Sequence, residues 1–300
     1  MQNRKRTLCL VAAVACATSL LAQQAPHVWT AAELFTRNVG TTEQQNKQFP
    51  PHKIIGNVYF VGTEMLGTFL VTTPQGHILI NTDYERNNAV IRDSVAKLGF
   101  RFEDIKIILG SHAHGDHMEG DALAKQQTGA QVMAMSEDVP ALQAMKPGGK
   151  EHPVDRILHD GEQVKLGDMT LTALLTPGHT DGCTSWTMKV QEGGRSYDVL
   201  VIGSMGVNAG TNLAANRIAQ YRQGFRVLHA QHVDVPLGSH PAMYRMTEKY
   251  AKVTSGGPNP FIDPQGYQSE LTTQETAFNN ELKRQETEGP PPARGRGQRQ

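Results

Sequence analysis

The stretch Ile107–Gly120, IILGSHAHGDHMEG, decides how the rest of the chain is read. It opens as an apolar strand-like run and then places His112, His114, Asp116 and His117 within six residues. The segment that follows, MEGDALAKQ, has helical spacing, so the donors lie on a loop between a strand and a helix. Open α/β sheets hold their ligands there, beyond the carboxyl ends of the strands. Three readings compete: a chance cluster on a solvated loop, a structural metal clip, and an open metal site that does chemistry. A chance run of this composition directly after an apolar strand is the weakest of the three.

On such a loop His112 and His114, two apart, can turn their rings to one point, while Asp116 and His117, adjacent at the helix start, turn to another. The segment therefore offers two metal positions. Imidazole and carboxylate are borderline donors suited to zinc, and a site needs three or four of them. Further donors are expected from His179 in LLTPGHTDG and His240 in VPLGSHPAM, each beyond an apolar strand in a glycine-containing turn. His229 and His232, three apart on an expected helix, read instead as a solvated face. His27, His52, His77, His152 and His159 read as ordinary surface or loop residues. Cys183, in DGCTSW, reads as a small buried residue at a strand start rather than a thiolate ligand.

Outward from this stretch, IIGNVYFVGT, GTFLVTTPQGHILINTD, AQVMAMS, VKLGDMTLTALLTPGH, TSWTMKV, YDVLVIGS and VDVPLGSH are apolar or alternating runs bounded by Gly, Pro and Asp, as strands are. NNAVIRDSVAKLGF, HMEGDALAKQQTG, EDVPALQAM, IAQYRQGFRVLHAQ and SELTTQETAFNNELKRQ carry helical spacing, and VWTAAELF predicts a short helix packed on the main body. Hairpins interleave with single strand-to-helix units, and several strands are apolar on both faces. That mixture predicts a layered α/β domain with helices outside. No Pro/Ser-rich linker divides the middle of the 300 residues, so one domain is expected over residues 23–286. The end, TEGPPPARGRGQRQ, has nothing to bury, and residues 287–300 are expected to form a disordered tail.

The start, MQNRKRTLCLVAAVACATSLLAQQ, has basic Arg4, Lys5 and Arg6 before an apolar run too short for a comfortable membrane span. Residues 1–22 are expected to be a secretory signal peptide, with an N-terminal anchor as the alternative, and the mature protein is expected in the periplasm. Cleavage removes Cys9 and Cys16, leaving Cys183 as the sole cysteine, so no intramolecular disulfide is possible. It also leaves 26 basic against 29 acidic side chains, a balance that suggests neither nucleic acid nor an anionic membrane as partner.

SHAHGDH resembles the HxHxDH signature of the metallo-β-lactamase superfamily, and VGTEMLGTFLVTTPQGHILINTD, TPGHTDGCTSW and VDVPLGSHPAM resemble further landmarks of that family in order, over residues 54–285. The resemblance implies an αββα sandwich of two mixed sheets with helices outside. It is strongest to the third subclass of class B β-lactamases. That likeness implies a first zinc on His112, His114 and His179 and a second on Asp116, His117 and His240. Ser204, in VLVIGSMGVN, stands where the first subclass carries a zinc-binding cysteine, and a serine there, as in the third subclass, implies a catalytic role in hydrogen-bonding metal-bound water. Glyoxalase-like and many lactone hydrolases of the superfamily place a metal-bridging aspartate after this strand, whereas Gly203 and Ser204 stand there in this chain. Asn81 replaces the aspartate that usually closes the LLD strand, and Asp83 two residues on is a candidate for its role.

The implied activity is zinc-dependent hydrolysis of the β-lactam amide, and hence antibiotic resistance, with a hydroxide on the two zinc ions as nucleophile. Asp116 is expected to orient that hydroxide and accept its proton. Ser204 and Asn208 are expected to meet the substrate carboxylate, and Trp29, Phe35 or Tyr244 either line the pocket or pack. No G-x-S-x-G elbow occurs, and a covalent serine mechanism is not expected. The expected partner is a small-molecule β-lactam and the expected state a monomer. The alternatives are an exported lactone or thioester hydrolase on the same fold, or a non-catalytic zinc-binding protein.

Overall fold

Alternation along the strands creates two apolar surfaces on each sheet, and the chain folds so that both are covered. The computed structural model describes residues 27–253 and 255–292. Its first sheet runs in spatial order β1 (His52–Ile55), β2 (Val58–Phe60), β3 (Phe69–Thr73), β4 (Gly76–Ile80), β5 (Ile105–Leu109), β6 (Gln131–Met135) and β7 (Arg156–Leu158). Pairing is antiparallel from β1 to β4 and parallel from β4 to β7. The second sheet contains β8 (Gln163–Leu166), β9 (Met169–Leu175), β10 (Thr184–Glu192), β11 (Arg195–Ile202) and β12 (Val235–Gly238), in the order β12-β11-β10-β9-β8. Only β11 and β12 pair in parallel there, so both sheets are mixed.

The helices are α1 (Ala31–Val39), α2 (Thr42–Asn46), α3 (Asn88–Lys97), α4 (Gly115–Met118), α5 (Asp121–Thr128), α6 (Val139–Ala144), α7 (Ala215–His229), α8 (Met246–Val253) and α9 (Pro264–Glu288). Successive strand residues point to opposite faces, and the burial follows that period. Phe69, Val71, Ile78, Ile80, Ile107 and Leu109 face the second sheet, where they meet Leu171, Ala173, Trp186, Met188, Val199 and Val201. Their neighbours Leu70, Leu79, Ile108 and Val132 face outward, under Ile91 and Val95 of α3 and Ala124 of α5. On the other side Leu200 and Ile202 pack beneath Tyr221, Phe225 and Leu228 of α7 and Tyr267, Leu271 and Phe278 of α9. The result is the helix–sheet–sheet–helix sandwich that the resemblance implies.

Local departures from the sequence reading have local causes. IIGNVYF is two strands, because Gly56 turns the chain at φ +53° where a Cβ would lie 2.3 Å from Val190 Cγ1. β7 and α8 occupy stretches in which the periodicity predicts no element. Helix α9 continues through Glu288, so the first two residues of the expected tail, Thr287 and Glu288, are helical instead. The expected signal peptide, residues 1–22, and positions 293–300 lie outside the described residues. Among the described residues no helix is long and apolar enough to cross a membrane.

Three histidines read as surface or loop residues are buried: His52, His77 and His152. His152 lies beside Asp121, Nε2 to Oδ2 3.2 Å, with both side chains inaccessible to solvent. His52 stacks between Phe60 and Phe261 and donates from Nδ1 to the Pro50 carbonyl at 2.8 Å, while its Nε2 is buried without a partner. Burial pushes His52 down from 6.5 to about 4. The fold therefore favours the neutral ring. Its contribution is complete above about pH 6.5 and is lost as the pH falls towards 4, by about 2–3 kcal/mol at pH 4.5. His52→Phe is expected to shrink the difference in urea-unfolding free energy between pH 7 and pH 4.5 by that amount. An equal acid loss in both proteins would contradict the assignment.

Candidate metal centre

The parallel run β4-β5-β6 and the orientation of β9, β11 and β12 bring three donor-bearing strand ends to one edge of the sandwich. The loop after β5 carries His112, His114, Asp116 and His117, that after β9 carries His179, and that after β12 carries His240. Close packing holds the first of these loops: a Cβ on Gly110 would lie 2.2 Å from Met118 Sδ, and Trp186 Nε1 donates to the Gly110 carbonyl at 3.0 Å. Thr184 N donates to Ser111 O at 2.7 Å, tying the loop to the second sheet.

Asn81 answers the question its position raises. Its Oδ1 accepts from Ser111 N at 2.9 Å and its Nδ2 donates to Gly67 O at 3.0 Å. A carboxylate could not make the second bond, so Asn81 itself bridges the strand ends. Asp83 does something else: it is fully buried, accepts from Thr68 Oγ1 at 2.6 Å, and burial pushes it up to about 7.

The six expected donors form two groups of three, His112, His114 and His179 in one and Asp116, His117 and His240 in the other, with donor atoms within 4.8 Å inside each group. In the first group the rings meet edge to face, with centroids 4.5 to 4.9 Å apart. In the second, Asp116 Oδ2 lies 3.3 Å from His117 Nε2 and 3.8 Å from His240 Nε2. His112 and His117, centroids 4.3 Å apart, place the groups side by side. Backbone carbonyls set two of the tautomers. His179 donates from Nδ1 to Gly206 O at 2.7 Å and His240 from Nδ1 to Met65 O at 3.0 Å, which leaves each Nε2 facing the site.

The electrostatics suit cations other than protons. Burial holds His112 and His179 well below the ordinary imidazole value and brings His117 to about 3, so these rings keep their lone pairs. Burial pushes Asp116 up, but His117, His240, His114 and His179 together outweigh it and hold the carboxyl at about 2. The Nε2 of His112 and both ring nitrogens of His117 are buried and make no hydrogen bond within the protein. Orphaned buried acceptors are costly unless something binds them. Neutral imidazoles beside one carboxylate form a donor set that fits divalent first-row metals, so these residues can hold a metal.

The remaining expected site residues are placed less directly. Ser204 is buried, its Oγ accepts from Gly206 N at 3.4 Å, and it lines a narrow crevice with Thr176, Pro177 and Tyr221. It meets the histidines through Gly206, whose carbonyl takes both the His179 ring N–H and the Tyr221 hydroxyl. Asn208 is half-buried in a turn closed by Thr211 N. Tyr244 packs in the inter-sheet core, while Trp29 and Phe35 are half-buried at α1. Cys183 is buried, in contact with the Ser204 carbonyl, and burial raises its thiol far above the usual range.

His229 and His232 do not share a helix face. His229 ends α7 and pairs with Glu275 at 2.8 Å, whereas His232 lies beyond the helix, 3.0 Å from Asp198. Asp234 joins this surface group, but Lys189 and the Asp198 N–H already take its carboxylates. An S-x-x-K spacing occurs at Ser94 and Lys97 on α3, yet Ser94 is buried against Gln48 and Lys97 pairs with Asp93, so it builds no nucleophile.

Comparison with known proteins agrees with this geometry. A family model described as the metallo-beta-lactamase superfamily matches residues 68–192. Among solved structures, the FEZ-1 metallo-beta-lactamase of Legionella gormanii is 44% identical, with 81% of this chain and 98% of that chain covered and a TM-score of 0.78. BJP-1, a subclass B3 metallo-beta-lactamase of Bradyrhizobium japonicum, is 38% identical, with 82% and 98% covered and a TM-score of 0.75. Among curated proteins, a hydroxyacylglutathione hydrolase of Methylobacterium nodulans is 36% identical over 105 residues, 35% of this chain. That match spans only 36% of the hydrolase's own length. With its sandwich, its two donor groups and its likeness to the full length of two solved members, the chain belongs to the metallo-β-lactamase superfamily, as a hydrolase whose structural neighbours include subclass B3 enzymes.

Proposed function

We propose that the protein is a zinc β-lactamase that binds two zinc ions and opens the β-lactam ring. The observation that carries this reading is the separation of the donors into an all-histidine group and an Asp-His-His group, with Gly203 and Ser204 rather than an acid following β11. A thioester hydrolase of the glyoxalase type would place a bridging carboxylate there. The likeness to FEZ-1 and BJP-1 over nearly all of their chains supports the same reading.

His112, His114 and His179 would hold one metal and Asp116, His117 and His240 the other. When bound, such a pair supplies Lewis acidity and lowers the pKa of water. Hydrolysis forms one C–O bond, breaks the C–N bond and moves a proton from water to nitrogen. Asp116, with its carboxylate 3.3 Å from the His117 ring and 3.8 Å from the His240 ring, is the group proposed to accept that proton and pass it on. The Ser204 hydroxyl and the Asn208 amide are the donors offered to a substrate carboxylate. Small-molecule turnover by a monomer exported to the periplasm, with antibiotic resistance as the outcome, completes the proposal.

The hydroxyacylglutathione hydrolase match favours thioester hydrolysis as the second reading. Zinc-loaded protein is expected to hydrolyse a chromogenic cephalosporin and a carbapenem, to stop in chelator, and to recover with added zinc. A thioester or lactone turned over faster than any β-lactam by the same sample would transfer the assignment to that reading.

A further inference from the structure

Asp138 stands immediately before α6, where an aspartate ordinarily caps its own helix. Its side chain makes no such bond. It turns instead into the sandwich, where it is 3% exposed. There Oδ2 accepts from Ala113 N at 2.8 Å and from Thr180 Oγ1 at 2.9 Å, and Oδ1 accepts from Gly182 N at 2.7 Å. Ala113 lies between His112 and His114, and Thr180 follows His179. One carboxylate therefore grips both loops of the first donor group, one from each sheet.

The chemistry of the grip is specific. All three partners are donors, and only an ionised carboxylate offers acceptors on every side; an asparagine would turn an NH2 against at least one of them. The approach is close as well. A Cβ at position 182 would lie 2.5 Å from Asp138 N, so the loop that follows His179 reaches the carboxylate only through a glycine.

We propose that Asp138 is a positioning residue for the first metal: it fixes the spacing between the His112–His114 loop and His179 and thereby sets the affinity of that site. The inference rests on reading His112, His114 and His179 as metal donors, not on the identity of the substrate. Supporting groups of this kind typically change metal affinity by 10- to 100-fold when removed.

The test is zinc binding to Asp138→Asn by competition with a chromophoric chelator, alongside cobalt(II) absorption spectra and urea unfolding of the metal-free protein. The expected result is an approximately 10- to 100-fold loss of affinity for one zinc equivalent with the other unchanged, and altered cobalt bands from the all-histidine site. Two equivalents bound within threefold of the wild-type affinities would overturn the proposal. If Asp138→Asn does not fold, Thr180→Val, which removes only the hydroxyl beside His179, carries the test, and unchanged affinity there overturns it. Failure of the wild type to bind two equivalents would instead refute the two-metal reading itself.

Discussion

Replacing His179 by alanine is expected to lower kcat/KM by about a thousandfold, on the order of 4 kcal/mol of barrier, for whichever acyl substrate the enzyme turns over. His179 is the one member of the first donor group supplied by the second sheet, and its Nε2 lies 3.2 Å from His114 Nδ1. No neighbouring side chain in that group can replace its lone pair. The loop itself is held by other bonds, Thr176 N to Cys183 O and Gly182 N to Asp138, so the fold is expected to survive with little change in urea midpoint. Steady-state kinetics with saturating zinc, read beside a metal count, check the result. A loss below tenfold would remove His179 from the catalytic centre.

The largest effect on stability is expected from Trp186→Ala, about 3–5 kcal/mol. Trp186 is 1% exposed on β10 and fills the space between the sheets, and its indole N–H is the partner of the Gly110 carbonyl at the root of the donor loop. Truncation opens a cavity and leaves that carbonyl unpaired in the interior. Against the 5–15 kcal/mol typical of a domain, such a loss leaves a marginal protein. Trp186→Phe keeps most of the apolar volume and drops only the hydrogen bond and part of the ring, so about 1–2 kcal/mol is expected. Guanidinium unfolding of both variants separates packing from the bond. Equal losses in the two would mean that the bond, not the volume, carries the contribution.

These two residues show how unevenly the molecule is written in its sequence. The donors are legible because their chemistry is conspicuous and their places are local: His112, His114, Asp116 and His117 follow an apolar run, and His179 and His240 each follow another. The layers are legible because strand and helix periods differ, so FLVTT and GHILI declare two buried faces and α3 declares one. β7 escapes because three residues, two of them exposed, carry no measurable period. His52 and His152 escape because burial of a histidine depends on what packs over it, Phe261 in one case and Asp121 in the other, both distant in the chain.

Residue type and local spacing alone were enough for a layered α/β class and for the six candidate donors, while the family and the sorting of His179 and His240 into separate groups rested on the resemblance carried by SHAHGDH and its companion motifs. Only the tertiary structure decided that Asn81 does the bridging, that Asp138 joins the two loops, and that the His240 ring is turned by the Met65 carbonyl. The partners in these bonds are 14 to 175 residues apart. They meet because two twisted sheets close on a shared core, and a hydrogen bond made that way leaves no periodic trace in the chain that encodes it.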